Sequence, residues 1–404
     1  MKCGLLGRKL GHSYSPQIHQ HLADYTYTLF EREPEELEDF LRKGDFTGIN
    51  VTIPYKKDVI PYLDALSPVA QRMGAVNTIV RRDGKLIGHN TDYSGFRSMV
   101  DMSGLAVEGQ KILVLGSGGA ANTAVAVLRE LGANAVIISR SSENNYTNLQ
   151  RHADASVIVN CTPVGMYPHV GISPIDLGLF PKLTGVLDVI YNPARTRLLL
   201  DAEKRGLVAM NGLWMLVAQA RESAEWFTGS SISDEKIGQI HTALRAQMEN
   251  IVLIGMPGCG KSTTGKLLAE HLGKRFVDAD EAIIARAGMS IPEIFSRDGE
   301  AGFRALETEI LAELGKQAGL IIATGGGCVT QEHNYDLLHQ NGRIIWLRRD
   351  IDALPTDGRP LSQTGKLADM YAVRKPMYAR FADHEIDNNH SPDATLAQIM
   401  EVLT

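Results

Sequence analysis

The stretch Ala246–Thr264, AQMENIVLIGMPGCGKSTT, constrains this chain most. Asn250–Ile254 is a short β-branched apolar run of the kind that forms a buried parallel strand, and Gly255–Ser262 fits G-x-x-x-x-G-K-[ST] directly after it. The pattern predicts a phosphate-binding loop. Gly255, Gly258 and Gly260 permit backbone angles that gather N–H groups round an anion, Lys261 adds a full charge, and the Ser262 hydroxyl can hold Mg²⁺. Because the loop sits between an apolar strand and the amphipathic segment 263–272, it opens an α/β unit with a parallel sheet and closes whatever precedes it.

Room exists on both sides. With 404 residues, 44% hydrophobic and 22% charged, the composition is that of a globular protein with two or three cores. A formal net charge of −6 provides no basic field for nucleic acid or an anionic membrane, so small molecules are the expected partners. Cys3, Cys161, Cys259 and Cys328 are scattered, with no C-x-x-C and no paired histidines, which argues against a disulfide framework or zinc. The start Met-Lys-Cys-Gly-Leu-Leu-Gly has no long apolar core, and no run reaches the length of a membrane span, so the expected location is the cytoplasm.

Before the loop, several strand-like runs end in small polar clusters. The strand 3–6 leads to Ser13-Tyr14-Ser15-Pro16, where Ser15 reads equally well as a helix N-cap or as a ligand-binding hydroxyl. Gly48–Thr52 stops at Pro54 and delivers Lys56; Gly74–Thr78 and Gly88–Asp92 follow. A lysine, an aspartate and several amides and hydroxyls at strand ends suit a polyhydroxy ligand. Lys111–Leu115 is a second apolar strand, ending in Gly116-Ser-Gly118-Gly119-Ala120, which matches G-x-G-x-x-G/A in a strand–turn–helix setting and predicts a dinucleotide site. The next strand, 135–139, ends in Ser139-Arg140-Ser141 where an acidic residue would meet a ribose 2′-hydroxyl; arginine and hydroxyls suit a 2′-phosphate, hence NADP, although Arg140 also reads as an ordinary surface residue.

Together these residues closely resemble shikimate dehydrogenase over nearly all of 1–248. The resemblance rests on S-x-S-P at 13–16, N-V-T-x-P-x-K at 50–56, G-A-V-N-T at 74–78, N-T-D at 90–92 and G-S-G-G-A at 116–120. It extends to N-x-T-P-x-G-M at 160–166, D-x-x-Y-N-P at 188–193 and N-G-L-x-M-L-x-x-Q-A at 211–220. It implies a two-lobed enzyme: a substrate lobe over 1–104 completed by 212–248, and a Rossmann-type NADP lobe over 105–211. By that resemblance Ser13 and Ser15 bind the substrate carboxylate, and Thr52, Asn77, Asp92, Tyr191 and Gln219 hold the rest of the ring. Lys56 and Asp92 form the catalytic pair, Asp92 orienting the ammonium that stabilises and protonates the developing alkoxide. Gly116, Ser117, Gly118, Gly119, Ala120, Ser139, Arg140, Thr162, Gly212 and Met215 belong to the NADP site. One departure is that only the short polar stretch 141–155 separates Arg140 from the strand 156–160, where the family usually carries another helix and strand; this lobe is trimmed.

Beyond the loop come Asp278 and Asp280 at a strand end, Arg304 and Glu307 three apart on a helical pattern, and Gly325-Gly326-Gly327 after the apolar run 320–324. Acids beside a phosphate loop manage metal and an accepting hydroxyl. The Arg304–Glu307 spacing alone reads as a surface ion pair, whereas three glycines offer bare backbone to a ligand. This half, 249–404, resembles shikimate kinase along its length, a P-loop kinase domain. The resemblance implies that Gly258, Cys259, Gly260, Lys261, Ser262 and Thr263 bind ATP, with Arg359 of Gly358-Arg-Pro-Leu361 as a lid arginine on the transferring phosphoryl group. Ser262 and Asp278 hold Mg²⁺. Asp280 takes the substrate hydroxyl, Arg304, Arg374, Gly326 and Gly327 grip the carboxylate, and Glu307 braces Arg304. Two departures are the short acidic segment 350–358 without a second arginine, and Asn389-His390 in place of basic residues in the adenine loop.

The expectation is therefore a bifunctional α/β enzyme of the shikimate pathway to chorismate and the aromatic amino acids. NADPH reduces 3-dehydroshikimate to shikimate, then ATP phosphorylates shikimate to shikimate 3-phosphate. The alternatives are a quinate/shikimate dehydrogenase fused to a kinase, and a chain in which one half only binds ligand. A homo-oligomer is compatible with the sequence, which does not fix oligomeric state.

Overall fold

A computed structural model describes residues 1–11, 13–354 and 364–403, and the chain divides into two compact units. The first comprises 1–166, 173–191 and 198–244; the second comprises 167–172, 192–197 and 245–404.

The first unit holds two sheets. Six strands, β1 (Lys2–Gly7), β2 (Thr26–Glu31), β3 (Gly48–Val51), β4 (Ala65–Leu66), β5 (Thr78–Arg82) and β6 (Lys85–His89), are ordered β2-β1-β3-β5-β6-β4. β1 runs parallel to β2 and β3, whereas β5 is antiparallel to both β3 and β6. Helix Leu213–Thr228 crosses this sheet closely, because a Cβ at Gly48 would stand 2.2 Å from the Phe227 ring. The second sheet, β7 (Lys111–Leu115), β8 (Asn134–Ile138), β9 (Val157–Asn160), β10 (Gly185–Asp188) and β11 (Val208–Met210), is all parallel in the order β11-β10-β9-β7-β8.

Continuous apolar runs such as KILVL have both faces covered, as parallel strands require. Ile112 and Val114 pack with Ala121, Ala124 and Leu128 on one face, and Leu113 and Leu115 pack with Leu149, Phe180 and Leu198 on the other. Between β8 and β9 the only regular element is the 3₁₀ turn Leu149–His152, so β8 is the edge of a five-stranded sheet. The stretch 141–155 thus adds neither an α-helix nor a strand to this lobe. Strand order reverses at β7, where an open sheet receives its ligand beyond the strands' C-terminal ends.

In the second unit β12 (Asn250–Ile254), β13 (Arg275–Asp278), β14 (Leu320–Ala323), β15 (Gly342–Arg348) and β16 (His384–Asp387) form a parallel sheet in the order β13-β14-β12-β15-β16. β12 is fully buried at its centre and feeds the loop that ends in helix Lys261–Leu272. Lys274, which follows that helix, reaches back to the carbonyls of Ala246 (2.8 Å), Gln247 (3.1 Å) and Glu249 (2.6 Å). It closes the C-terminal end of helix Asp234–Met248, as a cation at a helix C-terminus does. No helix among the described residues is long and apolar enough to cross a membrane.

Candidate active sites

Lys56 leaves the end of β3 through the turn after Pro54, and Asp92 opens helix Asp92–Ser103. Their side chains meet at 2.6 Å, Lys56 Nζ donating to Asp92 Oδ2, with 31% and 13% of the side chains exposed. Asp92 is held from behind: its N–H donates to Asn90 Oδ1 at 3.0 Å, and Asn90 Nδ2 donates to Ala75 O at 2.9 Å. Thr91, fully buried, sends its N–H to Asn77 Oδ1 at 2.8 Å, and Asn77 Nδ2 returns to Thr91 Oγ1 at 3.1 Å. Ser15 begins helix Ser15–Leu22 itself, with Tyr14 in the cap position and no side-chain cap, so the N-cap reading of Ser15 gives way. Ser13 Oγ accepts from the Ser15 N–H at 3.2 Å. Thr52 is half-buried on the turn toward Lys56, its N–H bonded to Leu6 O at 2.9 Å. Tyr191 meets Tyr14 edge-on at 6.1 Å, and burial raises the pKa of its phenol. Gln219 lies on helix Leu213–Thr228, its Cγ over Gly95.

In the dinucleotide lobe Gly116 adopts φ +111°, with Cys161 O 3.2 Å from where a Cβ would sit, while Gly118 and Gly119 have open space before them. Ser117 is exposed and Ala120 half-buried beside them. Bare glycine backbone at the start of helix Gly119–Glu130 fits a pyrophosphate. Arg140 is exposed just after β8, and Ser139 before it is buried. Thr162 is turned inward, its hydroxyl donating to Asn160 Oδ1 at 2.7 Å. At Gly212 a Cβ would stand 2.1 Å from Val189 O, so no other residue fits there, and Met215 is buried one turn on.

Sequence reasoning missed Ser223, one turn beyond Gln219 and completely buried. Its Oγ accepts from Asn50 Nδ2 at 2.7 Å and lies 2.9 Å from Thr78 Oγ1 and 3.4 Å from Thr91 Oγ1, joining three of the motif segments. The signal was a polar residue on the helix face that otherwise buries Val217, Ala220 and Ala224.

In the second unit Gly255, Gly258 and Gly260 take φ +141°, +81° and +100°, as the loop reading requires. Lys261 is 8% exposed, and its ammonium donates to Gly255 O (2.9 Å) and Met256 O (3.0 Å) across the concave loop. Ser262 Oγ donates to Asp278 Oδ2 at 2.6 Å, while Thr263 is exposed beside it. Asp278 Oδ1 accepts from Asp280 N at 3.0 Å, capping helix Ala279–Ala287 and aiming Asp280.

The Arg304–Glu307 spacing is not a surface pair. Arg304 Nη1 meets Glu307 Oε2 at 2.7 Å, with side chains 9% and 0% exposed. Burial pushes the Glu307 carboxyl up while the Arg304 guanidinium opposes it. Glu307 Oε1 has no hydrogen-bond partner among the described residues. A Cβ at Gly325 would stand 2.7 Å from Glu307 Oε1 and 2.9 Å from Asp280 Oδ1, and one at Gly327 would stand 2.2 Å from Arg304 Nη2. Arg374 Nη1 donates to Gly326 O at 3.2 Å, and the buried Tyr378 hydroxyl donates to the same carbonyl. Asp280, Arg304, Glu307, the three glycines and Arg374 thus face one another, as an anionic polyhydroxy ligand needs. Arg359 falls outside the described residues.

A family model described as shikimate kinase matches residues 257–404, and one described as shikimate dehydrogenase substrate binding domain matches 5–79. The NADP(+)-dependent shikimate dehydrogenase of Dehalococcoides mccartyi is 40% identical over 257 residues, covering 56% of this chain and 89% of that protein. That of Clostridium perfringens is 34% identical over 266 residues, covering 60% and 98%. Among solved structures, a chorismate mutase/shikimate 5-dehydrogenase fusion protein from Clostridium acetobutylicum is similar at a TM-score of 0.58 and 36% identity, covering 60% of this chain and 96% of that one. Shikimate 5-dehydrogenase of Thermus thermophilus in complex with NADP(H) and shikimate follows at 0.54 and 30%, covering 60% and 99%. The chain belongs to the shikimate dehydrogenase family, and fuses to that enzyme a shikimate kinase domain over residues 257–404.

Proposed function

We propose that the first unit reduces 3-dehydroshikimate to shikimate, that the second phosphorylates shikimate at its 3-hydroxyl, and that the residues assembled above carry both steps. The Lys56–Asp92 contact of 2.6 Å is the observation that carries the reading. Bound NADPH supplies a hydride, and bound ATP with Mg²⁺ supplies a phosphoryl group.

As negative charge grows on the carbonyl oxygen, the Lys56 ammonium stabilises it and transfers a proton, so the oxygen ends as a hydroxyl and Lys56 recovers its proton from solvent. Asp92 orients Lys56, and the Ser13 and Ser15 hydroxyls take the substrate carboxylate. Thr52, Asn77, Tyr191 and Gln219 hold the ring. Gly116–Ala120 would receive the pyrophosphate, Arg140 the 2′-phosphate, and Ser139, Thr162, Gly212 and Met215 the rest of the cofactor. In the kinase, Gly258–Thr263 cradle phosphates, with Lys261 charged against them. Ser262 and Asp278 would hold the metal. Asp280 accepts the proton of the attacking hydroxyl, while Arg304, Arg374 and the Gly326–Gly327 backbone fix the carboxylate and Glu307 braces Arg304. Arg359 would neutralise the transferring group.

The substrates are small molecules, neither nucleic acid nor membrane is a partner, and the chain works in the cytoplasm, a reading supported by the net charge of −6. The test is one coupled assay from 3-dehydroshikimate, NADPH and ATP. Formation of shikimate 3-phosphate with equal consumption of NADPH and ATP is expected; shikimate accumulating without phosphorylation would reduce the second unit to a binding module.

A further inference from the structure

Asn388, the residue after β16, is 7% exposed and lies 129 positions from its partner in the phosphate loop. Its Nδ2 donates to the carbonyl oxygen of Cys259, and its Oδ1 accepts from the fully buried Thr395 Oγ1 at 2.6 Å. The amide orientation is forced, since a carbonyl only accepts and a hydroxyl hydrogen needs an acceptor. Its own N–H is fixed to Arg348 O at 2.8 Å. Asn389 tightens the same turn, its Nδ2 donating to Asp387 Oδ1 at 2.7 Å while its Oδ1 accepts from Asp350 N at 2.9 Å. Asn388 is therefore rigid on its β16 side and points a single donor at the loop.

The consequence follows from peptide geometry. In a trans peptide the C=O and N–H of one unit point in opposite directions. With Cys259 O held by Asn388, the Gly260 N–H points to the opposite side of the same peptide, away from Asn388. Gly260 has φ +100°, a conformation with few steric restraints in glycine, so this peptide can rotate unless something holds it. The same glycine leaves room for the clamp, because a Cβ there would stand 2.7 Å from Asn388 Nδ2. We infer that Asn388 is a positioning residue of the phosphate loop, holding the Cys259–Gly260 peptide with its N–H toward the bound polyphosphate and thereby setting nucleotide affinity. The inference rests on reading the second unit as an ATP-dependent kinase, but its test does not depend on the acceptor.

The variants are Asn388→Leu, which removes the donor while keeping a side chain branched at Cγ, and Asn388→Asp, which sets an oxygen against the Cys259 carbonyl. Inorganic tripolyphosphate binding is measured by calorimetry on the full chain, alongside KM for ATP, KM for shikimate and the dehydrogenase rate. Both tripolyphosphate affinity and KM for ATP are expected to worsen about tenfold in Asn388→Leu, the effect of one well-placed hydrogen bond, and more in Asn388→Asp. KM for shikimate and dehydrogenase turnover should stay within about twofold. Thr395→Val, which frees the amide to turn, should move the same two constants in the same direction by less. Tripolyphosphate binding unchanged in Asn388→Leu overturns the inference. Equal worsening for ATP and shikimate overturns it too, since that would make Asn388 a support of the fold. A wild-type chain that binds tripolyphosphate but does not phosphorylate shikimate would defeat the functional reading and leave the binding comparison to decide this one.

Discussion

Gln219 lies directly across Gly95: a Cβ on Gly95 would stand 2.4 Å from Gln219 Cγ and 3.0 Å from Met215 O. Helix Asp92–Ser103, which opens with Asp92 itself, is thus packed against helix Leu213–Thr228 at Gly95, where the lack of a side chain lets them approach. Gly95→Ala should separate the helices at the level of Gln219 and Asp92, even though alanine favours a helix by about 1 kcal/mol over glycine. Displacement near 1 Å in a positioning contact costs up to about a hundredfold. Dehydrogenase kcat/KM for 3-dehydroshikimate is expected to fall at least tenfold, with shikimate phosphorylation unchanged. Full dehydrogenase activity would mean that Gln219 does not need this approach.

Two lysines are expected to divide the activities. Lys56→Ala should abolish NADPH oxidation with 3-dehydroshikimate while phosphorylation stays near wild type, and Lys261→Ala should do the reverse. Removal of one preorganised charge from developing negative charge costs roughly a hundred- to a thousandfold in rate. A Lys56→Ala enzyme keeping more than a tenth of its kcat would assign the proton to another group.

What the sequence made legible was local. Lys56 and Asp92 stand 36 positions apart, yet each is marked by its own neighbours, a strand stopped by Pro54 and a polar cluster after β6, so their convergence needed only the sheet. The glycines of the phosphate loop announce themselves because positive φ leaves few alternatives. Ser223 carried no such mark, since its partners Asn50 and Thr78 lie 173 and 145 positions away and a serine inside a helix reads as neutral filling. Asn388 carried no mark either, since its partner in the phosphate loop lies 129 positions before it. Burial likewise separates Arg304–Glu307 from an exposed pair of equal spacing such as Asp387–His390, and spacing cannot report burial.

His19 ties stability to pH in the first unit. It is 1% exposed, stacks on Tyr27 at 4.1 Å and bonds Tyr25 through Nδ1 at 2.6 Å. Burial lowers its pKa from 6.5 to about 3, so the folded chain keeps it neutral where the unfolded chain protonates it. Acid therefore favours unfolding, and this contribution to stability is lost as pH falls from about 6.5 toward 3. At pH 5 the loss is about 2 kcal/mol. His19→Phe, which keeps the stack and removes the proton site, should flatten the stability of the first unit between pH 7 and 5 by that amount in denaturant titrations. An unchanged slope would show that His19 takes up its proton without unfolding.

Cofactor choice is expected to rest on Arg140. It leaves the end of the edge strand β8 into a turn pinned by Ser142, whose Oγ accepts from Ser139 N at 3.2 Å, so the exposed guanidinium starts from a fixed backbone. Because only the 3₁₀ turn Leu149–His152 stands between β8 and β9, little else after β8 is placed to meet a 2′-phosphate, and the cation should carry most of that discrimination. Arg140→Asp puts a carboxylate against the phosphate of NADPH and offers NADH an acceptor for its 2′-hydroxyl. KM for NADPH should rise at least about tenfold while KM for NADH stays level or falls, with the kinase activity of the same molecule as internal control. Equal loss for both cofactors would make Arg140 a surface residue and move NADP selection to another part of the lobe.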